Sequence, residues 1–236
     1  MEKSDLNNQA VDYVTIAAKG CLSAVPFVGS LLAELAGTTI PNQRIERITK
    51  FAQELETRLG QLERTSLQAR IVTPEGADLL EEAMRQAASS LSDERRGYIA
   101  GLIENGLAIS DINVQESKHL LRILGELSDV EIIWLRFYAD ATIGGDEDFR
   151  EKHAAVLEIE PAYMGSPQPV HDKNSLAKSY NLHLARLGLL QENLAIDQKT
   201  KLLKIDSQGR TEIKSYSLTS LGRLLLRSIG LPDILE

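Results

Sequence analysis

The chain has 236 residues, of which 43% are hydrophobic and 25% are charged, and this globular composition excludes an intrinsically disordered protein. A chain of this length is expected to form one large or two small domains with a sizeable buried core. The net charge of −8 argues against nucleic-acid binding by the whole surface, and the single cysteine excludes an intramolecular disulfide bond.

The first 40 residues are the most apolar part of the chain and include the run "CLSAVPFVGSLLAEL". Between Lys19 and Glu34 there are 14 residues without charge, among them Pro26 and Gly29. Because proline interrupts the helical hydrogen-bond ladder, we expect residues 1–40 to form a kinked helix or an apolar helical hairpin. Cys21 lies in this run, where a thiol usually behaves as a small buried hydrophobe.

This apolar run has two interpretations. A helix that spans a membrane needs about 20 mainly apolar residues, so the run is too short for a stable span, and a core hairpin packed on the following helix is favoured. The alternative is a segment that is released on activation to lie on or insert into a membrane. The candidate membrane or partner contacts are Leu22, Val25, Pro26, Phe27, Val28, Leu31 and Leu32.

Residues 41–127 are predicted to form a helical body. Apolar residues spaced four and three apart predict a long amphipathic helix from Asn42 to about Arg70. Its apolar stripe consists of Ile48, Ala52, Leu55, Leu59 and Leu62.

The later helices of the body are predicted from their start signals. Thr73 followed by Pro74 is typical of a helix start, and this helix is expected to reach about Ser89. Ser92 is expected to cap the next helix, because acidic residues follow it directly. Capping boxes predict two more helix starts, at Asn113–Glu116 and at Ser128–Glu131.

Residues 128–236 are predicted to form a winged-helix-like domain. Two loops, "ATIGGDED" and "EPAYMGSPQPVHD", flank a short helix from Phe149 to Leu157. A helix from Asn174 is expected to end at Gly188, since glycine is a common C-cap. The apolar face of this helix is expected to contain Leu176, Tyr180, Leu184 and Leu187.

A winged-helix module has a helix followed by a β-hairpin and a further helix, and the rest of this domain is predicted to follow that order. The stretches "TKLLKID" and "TEIKSYSL" are predicted to form two strands joined by a turn at "SQGR". A final helix with Thr219 as its cap follows. The expected fold class is therefore mainly α, a multi-helix body with an N-terminal apolar helical hairpin and a C-terminal winged-helix-like domain containing a small β-hairpin.

The sequence contains no catalytic motif that would indicate an enzyme. It has neither a glycine-rich phosphate-binding loop nor a G-x-S-x-G nucleophile elbow. The stretch "GGDEDF" is similar to the signature of diguanylate cyclases, but no strand patterns flank it, so a solvated acidic loop that caps a helix is favoured. We therefore expect no enzymatic activity and no cofactor. No metal site is expected either, because the four histidines do not have the short spacings of zinc ligands. They are His119, His153, His171 and His183.

Nucleic-acid binding is a hypothesis that follows from the winged-helix order. Charge is unevenly spread, because residues 1–170 carry 16 basic and 27 acidic side chains (−11), whereas residues 171–236 carry 10 and 7 (+3). The predicted start of the helix and the predicted hairpin supply the candidate contacts, Lys173, Asn174, Ser175, Lys178, Lys199, Lys201, Lys204 and Arg210.

Four stretches resemble the bacterial abortive-infection alpha proteins and related families. They are "PNQRIERITKFAQELETRL", "SDERRGYIAGLIENGL", "ESKHLLRILGELSDVEIIWL", and "LARLGLL" with "YSLTSLGRLLL". The resemblance implies a role in a bacterial anti-phage response, and it implies no catalytic residues.

The expected function is a non-enzymatic interaction or regulatory protein that acts through a protein partner. The alternatives are a membrane-perturbing effector that uses residues 20–35 and a DNA-binding winged-helix regulator. Among partners, a second copy of the chain in a homo-oligomer is a further candidate. The polar, acidic-flanked start of the chain lacks a signal-peptide pattern, so the expected location is the cytoplasm, with membrane association on activation as the alternative.

Overall fold

The computed structural model describes residues 42–60, 64–71, 73–108, 113–142, 145–205 and 209–231. The apolar run predicted as a hairpin, with Cys21 and the candidate contacts from Leu22 to Leu32, lies outside these residues. The described chain is mainly helical and has a two-stranded antiparallel sheet near its C-terminus, which confirms the predicted class at that level. It divides into two compact units, Met1–Glu126 with Ser228–Gly230 and Leu127–Arg227 with Leu231–Glu236.

The described part of the first unit is helical. Its helices are α1 (Asn42–Leu59), α2 (Arg64–Ile71), α3 (Pro74–Ser89), α4 (Asp93–Leu107) and α5 (Val114–Glu126). Helix α4 packs against α1, α3 and α5. It is buried on several sides, with Ile99, Ala100 and Ile103 fully removed from solvent, as expected of a helix that is enclosed by others.

The predicted starts of these helices are confirmed by their capping hydrogen bonds. Thr73 Oγ1 accepts a bond from Gly76 N at 3.1 Å, and Ser92 Oγ caps α4. The Asn113 side chain accepts from Glu116 N at 2.9 Å, and the Glu116 carboxylate accepts from Asn113 N at 2.8 Å. Each cap satisfies backbone groups that have no partner within the helix.

The single long helix predicted from Asn42 to Arg70 is wrong. Helix α1 ends at Leu59, directly before Gly60, and α2 begins at Arg64. Glycine has the lowest helix propensity after proline, so a break is least costly there. The apolar stripe of α1 is buried as predicted, while Leu62 lies outside the described residues.

The second unit combines helices with the sheet. Its elements are α6 (Asp129–Phe137), a 3-10 turn (Tyr138–Asp140), α7 (Glu147–Lys152), α8 (Ala154–Leu157), α9 (Gln168–Arg186), β1 (Leu190–Leu194), β2 (Ile213–Leu218) and α10 (Ser220–Ser228). The full capping box from Ser128 to Glu131 is confirmed at the start of α6. The helix expected from Phe149 to Leu157 is instead two short helices, α7 and α8, which meet at His153.

The hairpin differs from the prediction in its first strand. Strand β1 pairs antiparallel with β2, from Leu190 opposite Leu218 to Leu194 opposite Ile213, so β2 is confirmed but β1 precedes "TKLLKID". That stretch forms isolated bridges, from Leu203 to Ile196 and from Ile205 to Thr211. Its apolar residues predicted a strand, but the segment that pairs with β2 is Leu190–Leu194, which lies earlier in the chain.

Two glycines make the junction of α9, β1 and α10 possible. Gly188 ends α9 with φ +75°, a left-handed conformation that suits glycine. A Cβ on Gly222 would lie 2.4 Å from the Leu189 carbonyl oxygen, so a larger residue would displace α10 from β1. Thr219 Oγ1 accepts from Gly222 N at 3.0 Å, which confirms the predicted cap.

The buried face of α9 is also different from the predicted one. Ala177, Asn181 and Leu184 are buried, whereas Leu176 is exposed. The buried residues are spaced four and three apart, like the predicted set. Leu184 is common to both sets, but Ala177 and Asn181 each lie one position after the predicted residue. Helix α9 packs against α6 and β1, and this packing selects the face.

Candidate interaction site

The first candidate nucleic-acid contacts lie within α9, not at its start. Because α9 begins at Gln168, the positions from Lys173 to Ser175 belong to its second turn. Lys173 Nζ donates to the Glu158 carbonyl at 3.0 Å, and Asn174 Nδ2 donates to the Glu160 carbonyl at 2.8 Å. These bonds hold residues 158–160 along α9.

The other two positions on this helix differ from each other. Ser175 Oγ donates to the His171 carbonyl at 2.9 Å, a bond within α9. Lys178 is exposed at the surface. The structure therefore does not gather the four positions at one helix end, and their role in nucleic-acid binding stays a prediction.

Beyond the β1–β2 pairing, the chain forms a compact hairpin tip, defined as residues 195–205 and 209–212. Ala195 N donates to the Glu212 carbonyl, Lys204 N donates to the Ala195 carbonyl, and Glu212 N donates to the Lys204 carbonyl, each at 2.9 Å. Three backbone segments therefore meet at the base of the tip. This arrangement gives a protruding loop an ordered backbone.

The end of the tip is an ordered turn that carries basic side chains. The Asp197 carboxylate accepts bonds from Thr200 N at 2.8 Å and from Lys199 N at 2.9 Å. These two bonds, with one from the Thr200 hydroxyl, hold the pKa of Asp197 below its usual value. Lys199, Lys201 and Lys204 are exposed, as is the predicted contact Arg210.

Four exposed aliphatic side chains, here called the aliphatic face, lie at the end of β1 and on the tip: Leu194, Ile196, Leu203 and Ile205. Ile196 is opposite Leu203, and opposed residues of an antiparallel pair point to the same side. Leu194 is opposite Ile213 at the end of β1, and Ile205 is opposite Thr211. These side chains are 39%, 56%, 48% and 57% exposed. An ordered set of apolar side chains in solvent is typical of an interaction surface.

A second exposed apolar feature is the turn from Tyr163 to Ser166. Ser166 N donates to the Tyr163 carbonyl at 3.0 Å, and Tyr163 N donates to Ser166 Oγ at 3.0 Å. Gly165 has φ +96°, which suits glycine at this point of a turn. Tyr163 and Met164 are both strongly exposed, so this turn displays two large apolar side chains on a fixed backbone.

The interior of the second unit contains a buried carboxylate at the start of α6. Glu131 accepts bonds from Ser128 N and Ser128 Oγ, each at 2.8 Å, and its other oxygen lies 2.6 Å from His183 Nδ1 on α9. Burial alone would raise the pKa of Glu131, but the bonds from Ser128 and His183 outweigh it and lower the pKa. This cluster joins α6 to α9, and its geometry indicates a structural role.

Asp146, in the acidic stretch "GGDEDF", caps a helix, as expected from the sequence. Asp146 Oδ1 accepts from Phe149 N at 3.1 Å at the start of α7, and Asp146 Oδ2 accepts from Arg136 at 2.6 Å. The Asp140 carboxylate accepts from Asp146 N at 3.0 Å, which further fixes the loop. These carboxylates therefore bind groups of the protein itself.

Two of the four histidines make side-chain contacts within the second unit. His153 packs on the Phe149 ring at 4.6 Å, and His183 binds Glu131. Among the described residues, no three potential metal ligands of the His, Cys, Asp or Glu type come together. Among the described helices, none is both long enough and apolar enough to cross a bilayer.

Neither exposed apolar feature was predicted from the sequence. A signal for the aliphatic face was present, because Leu194 with Ile196 and Leu203 with Ile205 each alternate with other residues. The bridge between them was not predictable from that alternation. Comparison of the chain with protein-family models, with curated proteins and with solved structures found no match.

Proposed function

We propose that this protein is a non-enzymatic interaction and regulatory protein that binds a protein partner through its second unit. One observation carries the proposal. Eight of the nine large hydrophobic side chains that are exposed in the described residues belong to this unit, and Leu91 is the ninth. The eight are Tyr163, Met164, Leu176, Leu194, Ile196, Leu202, Leu203 and Ile205.

The backbone under these side chains supports a binding role. The turn at Tyr163 and the hairpin tip are both held by hydrogen bonds within the chain. Ordering a loop on binding costs conformational entropy. Apolar side chains on a backbone that is already ordered therefore bind a partner with a smaller loss of conformational entropy. Two such features on one unit favour a dedicated interaction module.

The order α9, β1, β2 and α10 supports a winged-helix-like module as this interaction unit. Such modules serve protein binding and dimerisation as well as nucleic-acid binding. The resemblance to abortive-infection alpha proteins supports a bacterial anti-phage response as the setting. The protein would then hold or regulate a partner during infection.

The test is stoichiometric recovery of a partner from phage-infected cells with the full-length protein. Substituting Tyr163→Ser with Met164→Ser, or Leu203→Ser, removes apolar contact area from one surface at a time. Leu91→Ser is the matched control, because Leu91 is exposed on the first unit. Recovery that is lost with the second-unit variants and kept with the control supports the proposal. A protein that stays alone through infection contradicts it.

Nucleic-acid binding is the second candidate, because Lys199, Lys201 and Lys204 are exposed on the hairpin tip. Phosphate contacts by lysines give an affinity that falls steeply with salt. The full-length protein should then bind duplex DNA at low salt and lose affinity on Lys199→Glu with Lys201→Glu. Binding that is absent, or that is unchanged in this variant, excludes this role for the tip.

A further inference from the structure

We propose that Met164 is an oxidation site, at which a hydroperoxide converts the thioether to a sulfoxide while the protein stays folded. The modified surface is the turn from Tyr163 to Ser166, which then becomes polar at its most exposed apolar side chain. The modification site goes beyond the function proposed above, and only its effect on partner binding rests on that function.

Met164 is fully open to solvent. Its exposed fraction is 105%, so no described residue covers it. The oxidation of a sulfur-containing side chain follows its exposure, because the oxidant must reach the sulfur atom directly. Met164 therefore meets the first requirement of an oxidation site in the folded protein.

The turn holds Met164 in this exposed position. Ser166 N donates to the Tyr163 carbonyl, and Tyr163 N donates to Ser166 Oγ, each at 3.0 Å. Gly165 has φ +96°, and a positive φ at the third position is typical of a type II turn. Met164 occupies the second position of this closed turn, so its exposure persists for as long as the two bonds hold.

Met84 provides the internal comparison, because it is a methionine in the opposite environment. It lies on α3 and is 2% exposed. A peroxide reaches such a buried sulfur only after the surrounding structure opens, and the opened form is a minor state. Met164 should therefore react at least about tenfold faster than Met84 in the folded protein. The third methionine, Met1, lies outside the described residues.

The reaction is the transfer of one oxygen atom. A lone pair of the sulfur attacks one oxygen of hydrogen peroxide, the O–O bond breaks, and an S–O bond forms. The released hydroxide takes the proton of the new S–OH group and leaves as water. The sulfur loses two electrons and the peroxide gains them. Methionine sulfoxide reductases reverse the change with electrons from a thiol.

Oxidation of Met164 should change the polarity of the surface but not the stability of the fold. A sulfoxide is polar, whereas the thioether is apolar. Oxidised methionines disrupt a structure when they belong to a core, and Met164 does not. The urea midpoint of unfolding should therefore stay unchanged. A partner that binds the turn, as proposed above, should bind the oxidised protein less tightly.

The first test measures sulfoxide formation at each methionine of the full-length protein. The protein is treated with hydrogen peroxide, digested and analysed by mass spectrometry over time. We expect Met164 to react at least about tenfold faster than Met84 in native buffer, and the two rates to become similar in concentrated urea. Similar rates in native buffer would overturn the proposal.

Hydrophobic-interaction chromatography measures the change at the surface. The oxidised protein should elute earlier than the untreated one, and the sulfoxide reductases should restore its elution. Met164→Leu is the matched control, because leucine keeps an apolar side chain of similar size without the sulfur. Its elution should not change after the same treatment. A wild-type protein that does not shift, or an equal shift in the control, would contradict the assigned site.

Recovery of a partner from phage-infected cells separates this inference from the proposed function. Recovery that falls on oxidation of the wild-type protein, but not of Met164→Leu, supports both. Selective oxidation of Met164 without any recovered partner keeps the modification site and contradicts the proposed function. A recovered partner with equal oxidation of Met84 and Met164 keeps the proposed function and overturns the site.

Discussion

The buried carboxylate of Glu131 provides the most direct test of what stabilises the second unit. Substitution by glutamine keeps the size of the side chain and its ability to accept from Ser128, since both residue types occur in capping boxes. It removes the charge that His183 and Ser128 bind at 2.6 to 2.8 Å. The substitution therefore isolates the contribution of the charge.

The size of the effect follows from the hydrogen bonds. Bonds to a charged group contribute about 1.5–3 kcal/mol, and neutral bonds contribute about 0.5–1.5 kcal/mol. Converting this cluster from charged to neutral should therefore lower the free energy of unfolding by about 1–2 kcal/mol at neutral pH. Glu131→Ala should cost more, about 3 kcal/mol, because it leaves the Ser128 and His183 donors without their acceptor.

The pH dependence has a definite sign. The folded state lowers the pKa of Glu131, so the stabilisation is complete above the usual pKa of a glutamate, about 4.3, and is lost as the pH falls through the lowered folded pKa. The cost of Glu131→Gln should consequently shrink between about pH 5 and about pH 3, because the wild-type carboxyl then becomes neutral.

Urea unfolding followed by tryptophan fluorescence measures this cost. The single tryptophan, Trp134, lies on α6 and reports on the same unit. The exposed Glu151 supplies the control, since Glu151→Gln should change stability by less than about 0.5 kcal/mol. An equal cost of Glu131→Gln at neutral and acidic pH would refute the assigned role of the charge.

Further substitutions at four positions test the packing and the caps by thermal or urea unfolding. Gly222→Ala should lower the free energy of unfolding by about 1–3 kcal/mol, because its Cβ would meet the Leu189 carbonyl. Gly97→Ala is the control and should stabilise α4 by about 0.5–1 kcal/mol, since a Cβ there meets nothing within 4 Å. Equal effects of the two substitutions would exclude the steric explanation. Phe51→Ala removes a fully buried ring and should cost about 3–5 kcal/mol, and a cost near zero would place Phe51 outside the core. Ser92→Ala removes the cap of α4 and should cost about 1 kcal/mol, while Ser92→Asp should retain most of that stability.

The helix starts were predictable because their signals are local. The side chain of each cap binds a backbone group three residues away, as at Thr73, Ser92 and Ser128. The sequence contains both partners within one turn, and no distant residue decides the bond. The same reason explains why the "GGDEDF" stretch was recognised as a cap for α7.

The interaction surfaces were less predictable because they depend on distant partners. Residues 190–194 form a strand because they pair with β2, which follows only after a long insertion. Ile196 pairs with Leu203 because the chain turns back between them at residues 198–200. The apolar residues of "TKLLKID" predicted a strand, but alternation alone does not show which face another layer covers.

The sequence by itself determined where most helices start and which residues end α9, since caps, prolines and glycines act on their nearest neighbours. The tertiary structure alone decided that Ala177 and Asn181 are buried in place of Leu176, and that the aliphatic face of the tip stays in solvent. Burial depends on which elements pack against a surface, and those elements come from distant parts of the chain.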